Sequence, residues 1–146
     1  MTSNLDTIAK TLVDVHDEAL SAAQMTIDTA HGTLSFSTAK TNTKTEFRLS
    51  KDGGVENLHF ELTLLPNPAQ TVHFLKISKR LDFINSWNRL NYFGTAHQRD
   101  DGMLSLRQTF RIDGTAPDFL TGMVALLTSV TDKFVEQVDR GKVRNA

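Results

Sequence analysis

The chain has 146 residues, 39% of them hydrophobic and nine of them Phe, which is enough for one core and few for two. A net charge of −1 leaves no basic footprint for nucleic acid and no polybasic segment for anionic lipid. With no cysteine there is no disulfide, no thiolate metal site and no cysteine nucleophile, and the expectation is one domain spanning 1–146.

At the N-terminus Ser3 and Asp6 stand three apart, as in a capping box, and Leu5, Ile8, Leu12, Val15 and Ala19 recur at helical spacing. This predicts a helix over about 4–21. The same stretch lacks the basic start and apolar run of a secretory signal, and no part of the chain has the roughly 18 consecutive apolar residues of a membrane span. A soluble, cytoplasmic protein is therefore expected, with no membrane partner.

Period two then takes over. Met25 and Ile27, Leu34 and Phe36, Phe47 and Leu49, then Leu58, Phe60, Leu62 and Leu64 alternate with polar neighbours, which predicts four strands with one apolar face. The turn signals between them, "HG" at 31–32, "KTNTK" at 40–44 and "DGG" at 52–54, leave room for an antiparallel meander and none for parallel crossovers. "LPNP" at 65–68 ends the fourth strand, because proline brings no N–H to a ladder. A second helix is expected from Thr71 to Leu90.

"NYFGTAHQ" and "MLSLRQTFRI" form a hairpin pattern joined by "RDDG", with Asp101-Gly102 at the tip. On its second strand Leu104, Leu106, Phe110 and Ile112 fall opposite Ser105, Arg107, Thr109 and Arg111. The last helix starts between Ala116 and Asp118, and its apolar residues from Phe119 to Val138 fill about half of its circumference at ~100° per residue. Six strands with one-sided alternation call for helices on one sheet face: a two-layer α+β fold, in the order α-β-β-β-β-α-β-β-α.

Chemistry is sparse along this chain. His16, His31, His59, His73 and His97 have no ligand spacing, so no metal and no cofactor are expected. Asp100 and Asp101 read as turn residues, Gly53 and Gly54 lack a phosphate-cradle context, and no Ser, His and Asp set stands out as catalytic. The polar face of the sheet carries Glu46, Arg48, Glu61, Arg107 and Arg111, a candidate polar platform whose plainer reading is cross-strand charge pairing.

The second helix keeps two asparagines around the lone tryptophan, in "FINSWNRLNYFG" at 83–94. On a wheel of ~100° per residue, Phe74, Ile77, Leu81, Ile84 and Trp87 mark one arc, with Asn88 inside it and Asn85 at its edge. Both amides are then expected to face the sheet, where each unmade hydrogen bond costs roughly 1–3 kcal/mol. They act as scaffold in this reading, tying the helix to the hairpin, with Gly94 and Ala96 allowing close approach. Leu75, Phe83 and Leu90 are left on the opposite arc, which makes them the candidate interface of a homodimer.

"INSWNRLNYFGTAHQRDDGMLSLRQTFRIDG", followed by a long amphipathic helix, resembles the YbjN family of bacterial domains, most clearly over 56–138. The resemblance rests on Ile84, Asn85, Trp87, Asn88, Arg89, Phe93, Ala96 and the "DDG" that ends in Gly102; His97, Gln98, Arg99 and Met103 depart from the pattern. It implies a type III secretion chaperone-like fold and a small dimeric, non-enzymatic protein that binds another protein as a regulator or chaperone-like factor, without catalytic residues. Two other readings stay open: a small-ligand binder using the polar face or the helix–hairpin corner, and a true secretion chaperone, for which a more acidic chain is expected.

Overall fold

The computed structural model describes residues 4–16, 24–38, 43–65, 77–91, 93–100, 102–113 and 117–140. In chain order these form α1 (Asn4–His16), β1 (Thr26–Asp28), β2 (Thr33–Thr38), β3 (Thr43–Asp52), β4 (Val55–Leu64), α2 (Ile77–Leu90), β5 (Thr95–Gln98), β6 (Leu104–Arg111) and α3 (Pro117–Arg140). The order is the one that periodicity predicts. Leu75, the N-terminal part of the expected second helix, Ser3, Ala19 and the "KTN" part of the "KTNTK" turn, residues 40–42, fall outside the described residues.

The strands form one antiparallel sheet in the order β1-β2-β3-β4-β6-β5. The β3–β4 hairpin is the longest ladder and sets the register of the rest: Asp52 pairs with Val55, so only Gly53 and Gly54 make the turn. Both have positive φ, 58° and 86°, which a two-residue turn matched to the strand twist requires. From there Phe47 meets Phe60, Leu49 meets Leu58, and Leu62 is followed across the sheet by Leu106 and Ala96.

One sheet face is covered by helices, and the core lies between. Leu5, Ile8 and Leu12 of α1 are buried, as are Leu120, Val124, Leu127, Phe134, Val135 and Val138 of α3, against Leu34, Phe47, Leu58, Phe60, Leu62 and Leu106 of the sheet. The apolar half of α3 is wider than its buried strip: Phe119 and Leu126 are exposed, with Met123 and Val130 half-buried beside them along one line of the helix.

The second helix is turned by about a quarter of a circle from the expected arc. Phe83, expected outside as an interface residue, is 3% exposed, and Leu81, expected inside, is 51% exposed. The cause is that α2 serves two neighbours. Phe83 and Trp87 must reach α3, where Phe134 meets their rings edge-on at 5.9 and 4.9 Å, while the next side of the helix faces β5. The expected arc, centred on Ile77, Leu81 and Ile84, took in Trp87 but left Phe83 out. Leu90 does lie outside, at 39% exposure.

Candidate functional site

The junction of α2 and β5 carries the most polar wiring. β5 is an edge strand, and Ala96 points its N–H and C=O away from β6. Asn88 satisfies both: its Oδ1 accepts from the Ala96 N–H at 2.8 Å, and its Nδ2 donates to the Ala96 C=O at 2.9 Å. A side-chain amide thus stands where the next strand would pair, and the edge is closed to strand addition at that point. Of the two amides expected to face the sheet, that of Asn88 reaches the β5 backbone although the residue is exposed at the flank of α2, and Asn85 is exposed.

Trp87 anchors the same corner from inside. Its Nε1–H donates to the Gly94 C=O at 2.9 Å, and the Gly94 N–H donates to Gln108 Oε1 at 2.8 Å. Gly94 has a φ of 82°, and a Cβ there would stand 2.8 Å from the Leu106 side chain, so only glycine fits. Asn91, which the sequence did not single out, donates to the Trp87 C=O at 3.2 Å and accepts from Lys133 Nζ at 2.9 Å. Gly102 closes the β5–β6 hairpin through its N–H to the Arg99 C=O, and its own C=O accepts from Arg80 at 3.2 Å. Asp101 lies outside the described residues.

The uncovered sheet face gathers the polar platform residues, though not as one cluster. Glu46 stands opposite Glu61, and Glu61 opposite Arg107. Glu61 is held by Arg107 Nε and by Arg99 Nη1, which also donates to Thr63. Arg111 is drawn off to the sheet end, where Asp113 takes both its Nε and Nη2 at 3.0 and 3.1 Å, and this pairing holds the Asp113 carboxyl below its ordinary pKa. A depression of about 400 Å³ opens among Glu46, Arg48, His59, Glu61, Arg107 and Thr109.

Two histidines on this face have lowered pKa values. For His59 burial is the main cause and the Arg48 charge adds to it; for His97 it is again burial, then Arg107. His97 Nε2 is buried without a hydrogen-bond partner among the described residues. His59 lies on the polar face, and Ser50 and Thr109 each bond one of its ring nitrogens. The signal was present in "DGG": a two-residue turn there fixes Ser50 diagonal to His59.

On the helical side a cavity of about 630 Å³ opens between α1, α3 and β2–β3, lined by Leu12, Phe36, Phe47, Thr45, Thr131 and Val135 among others. No group of three metal-ligating side chains is found among the described residues, and no described helix is long and apolar enough to cross a membrane.

No protein-family description matches the chain, and no curated protein matches its sequence. Among solved structures, the chain is similar to one from the HopA1–SchA chaperone–effector complex, with a TM-score of 0.50 and 18% identity, over 93% of this chain and 98% of that one. At that identity the likeness shows the fold alone: a two-layer α+β arrangement.

Proposed function

We propose that the protein is a chaperone-like protein-interaction module, acting as one domain and as a homodimer, with a polypeptide as its partner. The observation that carries this reading is the likeness, over nearly the whole of both chains, to a chain of a chaperone–effector complex. The exposed apolar line of α3, with Phe119 and Leu126 outermost, and Leu81 and Leu90 on α2 supply surface of the right character for protein contacts. The YbjN resemblance supports a regulator rather than a secretion chaperone, and the net charge of −1 agrees with that choice. Cytoplasmic residence belongs to the same proposal. Affinity purification from an extract of the host organism tests it: one defined polypeptide recovered near stoichiometry supports the reading, and no polypeptide enriched over a bait-free control overturns it.

A second reading, a small-ligand binder, is favoured by the cavity between α1, α3 and the sheet, whose volume of about 630 Å³ falls in the range of small-molecule sites. Thermal-shift screening separates the two. A ligand at 100 times its Kd adds about 2.7 kcal/mol to stability, whereas a screen without shifts leaves the polypeptide reading standing alone.

A further inference from the structure

The two-residue turn at Gly53-Gly54 decides which side chains meet on the open face of the sheet. Arg48 stands opposite His59 and Ser50 opposite Asn57, so Ser50 and His59 are diagonal neighbours on one face. Ser50 Oγ lies 2.7 Å from His59 Nε2, and His59 Nδ1 lies 3.0 Å from Thr109 Oγ1 on β6. One tautomer serves both contacts: Nδ1–H donates to Thr109, and Nε2 accepts the Ser50 hydroxyl proton. An imidazole held this way is a base aimed at a hydroxyl, with a third group fixing its ring, which is the arrangement that activates hydroxyl nucleophiles. Burial and then the Arg48 charge hold the ring's pKa below its ordinary value, which favours the unprotonated form. The His59 ring and Thr109 also line the depression shared with Glu46, Arg48, Glu61 and Arg107, and Ser50 stands outside that lining on the other side of the hydrogen-bonded pair.

We propose that Ser50 is a nucleophile, activated by His59 as general base and positioned through Thr109, that accepts acyl groups from small activated esters. Ser50 Oγ attacks the ester carbonyl while its proton passes to His59 Nε2. The tetrahedral intermediate collapses, the bond to the leaving oxygen breaks, and Nε2 returns the proton to that oxygen, giving an acyl-Ser50 ester and a free phenol. Water, deprotonated by the same nitrogen, then releases the carboxylic acid and restores the hydroxyl. In this proposal the developing oxyanion is met by Arg48, two residues from Ser50 on the same face of β3. A single solvated cation stabilises that charge less than preorganised buried donors do, which confines the reaction to good leaving groups such as aryl esters. This activity is independent of polypeptide binding.

The test uses the full chain with p-nitrophenyl acetate, following phenolate release, intact mass and the modified residue by peptide mapping. The expected result is acetylation at Ser50, or turnover if the acyl enzyme hydrolyses quickly, with Ser50→Ala and His59→Gln each reduced by about a hundredfold or more. Thr109→Val should lower the rate and Thr109→Ser restore it, since only the hydroxyl is needed to hold the ring. The rate should rise with pH as His59 loses its proton, in a field set by Glu46, Arg48 and Asp52 of β3, Glu61 of β4, and Arg107 and Arg111 of β6. All three residues changed lie on the uncovered face, and circular dichroism verifies that each variant is folded. Label on lysines with Ser50 unmodified, or a folded Ser50→Ala that releases phenolate at the wild-type rate, overturns the proposal.

Discussion

Asn88 answers the question raised by a polar residue beside the tryptophan of an amphipathic helix: one amide satisfies both the N–H and the C=O that Ala96 turns outward from an edge strand. Asn88→Ala should destabilise the fold by roughly 1–3 kcal/mol, measured by urea denaturation, because it strips a donor and an acceptor at once. Asn88→Asp should lose less, since a carboxylate still accepts from the Ala96 N–H. The residue type and its neighbourhood were legible in sequence, but the target was not, because β-edge hydrogen bonding depends on register. Gly94 is a sharper case. Gly94→Ala must set a Cβ 2.8 Å from Leu106 at a φ of 82°, and a loss of roughly 1–3 kcal/mol is expected in the same measurement. The histidines give a pH prediction. His59 and His97 bind protons more weakly when folded than at their ordinary value of 6.5, so the unfolded chain takes up more protons as pH falls. Their contribution to stability is present above 6.5 and is lost as pH falls through that value toward the lowered ones. A melting temperature that drops from pH 7.5 to 5.5, with a smaller drop in the double variant His59→Gln/His97→Gln, is the expected outcome.

At the scale of elements, strand alternation read truly and helix rotation did not. Period two leaves a strand only two faces to choose between, so Phe47, Leu58, Phe60, Leu62 and Leu106 fell on the buried side as expected. A helix has a continuous choice, and α2 took the angle that brings Phe83 and Trp87 to Phe134. That angle follows from where α3 lies, which no local pattern contains. It also reverses the meaning of two substitutions. Phe83→Glu should now unfold the protomer rather than merely part a dimer, because it places a charge in a packed aromatic cluster. Leu81→Glu should leave circular dichroism and melting temperature nearly unchanged, and a shift toward monomer in sedimentation velocity would place the proposed self-contact on the outer side of α2. The missed Ser50–His59–Thr109 set belongs to this scale as well. Its first two members were within reach of a register drawn from Gly53-Gly54, whereas Thr109 required knowing that β6, not β5, lies beside β4.

For the whole molecule, element order and layer arrangement followed from hydrophobic periods and turn residues, because a sheet with one apolar face must be covered on that face and no other. The partner did not follow, since an exposed Phe119 or Leu126 states that a surface is apolar and not what covers it. The fold likeness to a chain of a chaperone–effector complex narrows the class of partner to polypeptide in the proposal, and the exposed line on α3 gives that proposal a place to be tested. The most direct measurement is the affinity, by titration calorimetry, of the polypeptide recovered from the host extract for the wild-type protein and for Phe119→Glu/Leu126→Glu. The folded double variant is expected to bind at least about tenfold more weakly, the loss of roughly 1.4 kcal/mol that follows when apolar contact surface is replaced by charge. Equal affinity would contradict the use of this helix face, and the absence of any binding polypeptide would contradict the chaperone-like role itself.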